Sequence, residues 1–332
     1  MEPPDSERLV REHRVSTVAS AWRPLRGQTF RDLLIADVFS DIGTFMQSVG
    51  AAWLMVSLKA GPMYVALTQT ASALPFFLFA LPAGALGDIV DRRKLILWTE
   101  IWMASVAIAL AALVIVGVIS PWLLLAFTFA ISAGDAFETP TWRAVLPDLV
   151  AKEDFEAASA LNGIEFNLAR AIGPGLAGLL IATFGIGTAF VVNAASFIGV
   201  IYVVARWKRP RRQQTAPTEN VIGATIAALR YVRYSTAVRP LIIRSGAVMF
   251  FASALLALLP TVGHNVSESP IAFGLLFGCF GIGAILGAFV LQPARARWST
   301  EAVASGGVII MGVATIATGF FVSCRCWLWS CS

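Results

Sequence analysis

The chain has 332 residues, 57% of them hydrophobic and only 14% charged, with a mean hydropathy of +0.74. Soluble domains carry about 25% charged residues, so this composition excludes an ordinary soluble protein and calls for a bilayer as solvent. The net charge of +5 does not imply nucleic acid, because Lys and Arg gather in the polar segments between apolar runs, as in the inner loops of a membrane protein.

The first 31 residues hold six Arg and four acids. That segment is too long and too charged for a cleavable leader, so the apolar run after it is expected to act as an uncleaved anchor. About 20 apolar residues cross a bilayer as a helix. On that rule nine spans are expected, at roughly 33–58, 63–86, 95–118, 121–141, 157–181, 186–206, 240–262, 269–292 and 301–323. Short turns separate many of them, such as Gly61-Pro62 and Ser120-Pro121.

Charge then sets the orientation. With the amino terminus inside, the inner segments hold Arg8 to Arg31, then Arg92, Arg93 and Lys94, then Arg143 and Lys152, then Arg206 to Arg239, then Arg295 and Arg297. The outer loops hold Lys59 and no other Lys or Arg before Arg325. That asymmetry predicts a multi-pass protein with a cytoplasmic amino terminus. Segment 207–239 is the one long polar linker, dividing six spans (32–206) from three (240–323). Its stretch from Val221 to Tyr234 is amphipathic and is expected on the inner membrane surface. A shift of 203 residues superposes Gly43 and Met46 on Gly246 and Met249, and Gly84, Ala85, Arg92 and Lys94 on Gly287, Ala288, Arg295 and Arg297. A parallel repeat of two transporter halves predicts such a pattern.

The segment Gly84-Ala-Leu-Gly-Asp88-Ile-Val-Asp-Arg92-Arg93-Lys94 sits between two apolar runs. Gly84 is expected to let two helices approach closely. Asp88 is expected to end the second helix and to pair with Arg92 or Arg93, or to cap the next helix. Its spacing resembles the signature loop between the second and third helices of the major facilitator superfamily of transporters. In the fifth span, Gly173, Pro174, Ala177 and Gly178 form a small-residue seam with a permitted bend. This seam resembles the superfamily's antiporter motif, with Ala177 in place of one Gly. Gly274, Gly278, Gly283 and Gly287 mark close packing of the eighth span.

Charges inside spans are costly and face cavities or partners. Asp37 and Asp41 lie one turn apart on one face of the first span. With that span starting at 33, Asp41 is about 12–14 Å deep. The repeat aligns Asp41 with Arg244, so the two could pair across a central cavity. The expectation is that Asp41 or Glu165 couples protons, with Asp37 a further candidate and Arg170 and Arg244 as counter-charges or substrate anchors. Glu100, Asp88 and Glu138 are read as interfacial. No phosphate-binding Gly-Lys loop occurs, and the two His, His13 and His264, lie in polar segments. No convergent nucleophile or metal cluster is visible, so no cofactor, metal or enzymatic activity is expected. Cys324, Cys326 and Cys331 crowd the last nine residues without a metal-site pattern.

The strings from Gly43 to Gln47, Gly84 to Lys94, Pro140 to Pro147 and Leu161 to Gly178 together resemble the enterobactin-exporter-like and macrolide-efflux-like branch of the superfamily, over about residues 28–323. The resemblance implies an all-α bundle in the bacterial inner membrane. It also implies proton-driven, alternating-access export of a small molecule, such as a siderophore or drug. Two departures stand out. The fourth span carries Asp135 and Glu138 and lacks the Arg motif common in drug/proton antiporters. The second half has three spans, and residues 324–332 break the style of the chain, as a frameshifted or truncated gene would. The alternative is an inactive transporter, or a membrane interaction subunit that needs a partner.

Overall fold

The computed structural model describes residues 22–207, 221–236 and 297–330, with scattered positions from 238 to 290. The expected spans at 240–262 and 269–292, residues 1–21, much of the linker, and the side chains of Asp88 and of residues 317–330 lie mostly or wholly outside the described residues.

Every regular element among the described residues is helical. A 3-10 turn, Arg23–Arg26, leads into α1 (Gln28–Ser57). Then come α2 (Pro62–Ile89), α3 (Arg92–Val116), α4 (Pro121–Leu149), α5 (Phe155–Phe184), α6 (Gly187–Arg206), α7 (Val221–Tyr234) and α8 (Thr300–Ser330). Local chemistry sets the ends. Pro62 and Pro121 occupy first-turn positions, where a missing N–H costs nothing. The Ser120 hydroxyl accepts from the Leu123 amide, and Gly117 ends α3 at φ +76°, a conformation open to glycine at little cost.

The sequence predicts an end near 141 for the fourth helix, but α4 runs on to Leu149 through Pro140 and Pro147. Inside a bundle, side-chain donors can tolerate such interruptions. In the same stretch the Thr141 hydroxyl bonds the Phe137 carbonyl at 3.1 Å, and Arg92 ties the Ala144 carbonyl to the start of α3 at 2.7 Å. The last helix likewise runs beyond 323, to Ser330.

Pro62–Ala80, Arg92–Val116, Lys152–Phe184 and Gly187–Arg206 are long and apolar enough to cross a membrane by length and composition. Helices α1 and α4 have 30 and 29 residues, or about 45 Å at 1.5 Å per residue, against a hydrocarbon core of about 30 Å. They carry acids along their length: Asp32, Asp37 and Asp41 in one, Asp135, Glu138 and Asp148 in the other.

The six long helices pack in the order α2, α4, α3, α6, α1, α5, with lighter contacts from α1 to α2 and α4 closing the bundle. Met55, Leu110, Leu124 and Phe190 fill the core between α1, α3, α4 and α6, and Met46, Val49, Ala177 and Ala189 fill that between α1, α5 and α6. Glycine allows the closest crossings. A Cβ at Gly43 would come within 2.8 Å of Asn193 Oδ1 on α6, and one at Gly173 within 2.7 Å of Phe45 Cβ on α1. Large apolar side chains such as Phe77, Trp98 and Phe184 point outward, as expected where lipid is the solvent.

Candidate functional site

The interior of the bundle is acidic. Asp37 and Asp41 come from α1, Glu100 from α3, Asp135 and Glu138 from α4 and Glu165 from α5. At about 1.5 Å per residue, these residues lie roughly 12 to 21 Å from the helix ends near Arg92. Asp41 itself is about 20 Å along α1, because the helix begins at Gln28. All six therefore lie about two turns or more inside their helices.

They form two pairs with two connecting groups. Asp41 and Glu165 are within side-chain hydrogen-bonding reach of each other, joining α1 to α5. Glu100 and Glu138 are likewise within reach, joining α3 to α4. Asp37 acts electrostatically on Asp41, Glu165, Glu138 and Asp135, and so stands between the pairs. An ionised carboxylate only accepts hydrogen bonds, so a bond between two carboxyls needs a proton on one of them. Glu165 Oε1 and Glu100 Oε2 are buried without a hydrogen-bond partner. A site with open acceptors and shared protons can take up and release protons or bind a positive group.

Glu100 and Glu138 are thus not interfacial. They are 2% and 9% exposed, and Glu138 accepts from the Thr99 hydroxyl at 2.9 Å. The sequence reading overlooked that helices at this point have neighbours on both faces; burial follows from α3 packing on α4 and α6 at once.

Beside the acids, Asn193 is fully buried and donates to Gln47 Oε1 at 2.7 Å, tying α6 to α1. Gly173, Pro174, Ala177 and Gly178 are buried along α5, with Gly173 and Ala177 against α1. Arg170 is half-buried five residues beyond Glu165 on the same helix. Arg244 bonds Ser305 Oγ at 3.2 Å and pairs with Glu301 at 3.9 Å. The counter-charge expected beside Asp41 is thus engaged with α8, while Asp41 meets Glu165.

Asp91, Arg92 and Arg93 each have described partners in the signature loop, while the expected pairing of Asp88 lies outside the described side chains. Asp91, not a residue of the preceding helix, caps α3, accepting from the Arg93 amide at 2.9 Å. Arg92 bonds the Gly87 and Ala144 carbonyls and pairs with Asp148 at 3.7 Å. Arg93 bonds the Val204 and Ala205 carbonyls at 3.1 and 2.6 Å, at the end of α6, where the helix dipole favours a cation. Lys94 is exposed. Among the described residues a Cβ at Gly84 would meet nothing within 4 Å; the close approach falls at Gly87, 3.3 Å from Thr141 Oγ1. One turn of helix separates the two glycines, and only Gly87 is turned toward α4.

The sequence of residues 19–329 matches the MFS_3 family, described as transmembrane secretion effector. The chain belongs to that family, within the major facilitator superfamily. It is 24% identical over 300 residues to the multidrug efflux pump Tap of Mycolicibacterium fortuitum, covering 87% of this chain and 72% of that protein. It is 25% identical to the staphyloferrin A transporter of Staphylococcus aureus, covering 75% of this chain and 63% of that one. It is also 25% identical to the enterobactin exporter EntS of Salmonella typhimurium, covering 78% and 62%. The chain thus spans less than two thirds of the length of those two siderophore transporters. A bacterial homologue of the human lysosomal transporter Spinster, in an inward-facing and occupied conformation, has the same fold, with a TM-score of 0.66 at 14% identity over 84% of this chain and 63% of that one. The MFS_3 chain is accordingly an all-α, membrane-embedded transporter-family protein.

Proposed function

We propose that this protein exports a small molecule, a siderophore or a drug-like compound, from the cytoplasm in exchange for protons. The carrying observation is the Asp41–Glu165 carboxyl pair between α1 and α5, with Glu165 buried and Asp41 half-buried. A proton held there lowers the charge of the pair from two negatives to one, and its release restores charge that a bundle interior must re-solvate or compensate. Protonation is thereby coupled to the packing of α1 on α5, across the Gly173 contact. Alternating access would use that coupling, with the amino terminus and the Arg92–Arg93 end inside the cell and the protein in the inner membrane. The likeness to a multidrug pump and to two siderophore transporters supports both substrate classes.

Inside-out membrane vesicles carrying the full chain test this reading, with ethidium as drug-like probe and enterobactin as siderophore probe. Uptake that needs an imposed pH gradient and collapses in Asp41→Asn and Glu165→Gln is the expected result. Gradient-driven uptake left intact in both variants would sink it.

A further inference from the structure

A second carboxyl pair is built between α3 and α4. Glu100 and Glu138 are buried there and lie within hydrogen-bonding reach of each other. The Thr99 hydroxyl is 2.9 Å from Glu138 Oε2, but also 3.1 Å from the Leu95 carbonyl and 2.9 Å from the Ile96 carbonyl. A hydroxyl has one proton to give and carbonyls have none, so Thr99 cannot serve all three acceptors. Glu100 Oε2, moreover, is buried and unpartnered. The groups acting on the two glutamates are themselves acids: Asp37 and Asp41 from α1 and Asp135 from α4. The arrangement has more acceptors than donors, and a proton on the carboxyls supplies what is missing.

We infer that Glu100 and Glu138 share one proton, and that this pair is a further proton station beside the Asp41–Glu165 pair. The inference deepens the proton-exchange reading above and rests on it for its role, though not for its existence. Each transfer moves only a proton: the donor carboxyl becomes a carboxylate and the acceptor carboxylate becomes a carboxyl.

Infrared spectroscopy of the purified full chain in lipid nanodiscs, at neutral pH, tests the site without substrate or gradient. A protonated carboxyl has its own carbonyl stretch, and carbon-13 glutamate shifts that stretch only if a glutamate carries it. In Glu165→Gln, the expected result is a label-sensitive carboxyl band. It should disappear entirely in the triple variant Glu100→Gln, Glu138→Gln, Glu165→Gln. No such band in labelled Glu165→Gln overturns the inference, as does a band that survives in the triple variant. If the triple variant does not fold, the labelled Glu165→Gln spectrum decides alone. Vesicle uptake indifferent to the pH gradient, with the band present, would remove the exchange reading and leave the shared proton standing.

Discussion

Two charged regions of the same bundle are built on opposite rules. At the Arg92 end, three charges meet complementary groups: Arg93 meets two carbonyls ending α6, Arg92 meets Ala144 and Asp148, and Asp91 meets a helix amide. Deeper inside the helices, like meets like: Asp41 faces Glu165, Glu100 faces Glu138, and two buried oxygens lack a partner. The first region is arranged to hold helices together. The second is arranged at a cost in stability, and such costs persist where function requires them.

That contrast is breakable by mutation, and the largest effect should come from the contact that keeps the two regions in one frame. Gly173→Leu would drive a side chain into Phe45 and the Ile42 carbonyl. Backbone cannot step aside as a flexible side chain can, so a loss of about 3 kcal/mol is expected, read as thermal unfolding in detergent. An unchanged transition would mean that α1 and α5 are not packed as described. Next, Arg93→Ala removes a two-pronged, half-exposed contact to α6 and should lower stability by about 1–2 kcal/mol. Arg93→Lys keeps the charge but not the fork, and should recover only part of it.

In the deep region the sign should reverse. Asp37→Asn relieves repulsion from four other acids, so stability should rise by about 1 kcal/mol, or roughly 2–4 °C for a chain of this size. Uptake in vesicles should fall at the same time. A lower transition temperature in Asp37→Asn would erase the distinction between the regions. The smallest effect belongs to Asp91→Ala, which removes an exposed helix cap worth about 0.5–1 kcal/mol; the same melting measurement checks it.

The acids of the site were legible one by one, since charges in apolar runs are conspicuous. Their grouping was not. Glu100 and Glu138 are 38 positions apart, and hydropathy places each near a span's end, where water is the default partner. Only the crossing of α3 and α4 turns them toward each other. For Arg244, a repeat offset suggested Asp41 as its partner, and the described contact is with Glu301. The end of α4 was misjudged because proline breaks an isolated helix but is tolerated inside a packed bundle.

The sequence by itself determined that this chain is a bundle of membrane helices, because bilayer thickness and the cost of unpaired backbone leave apolar runs of this length little choice. It determined the family too, through the spacing of Gly84 to Lys94 and the seam at Gly173. Tertiary structure alone decided which helix faces meet. Hydropathy is nearly uniform around these helices, since lipid and core are equally apolar, so the pattern gives no inward face. Close crossings at glycine and the pairing of distant polar groups supply it, and those are properties of two helices at once.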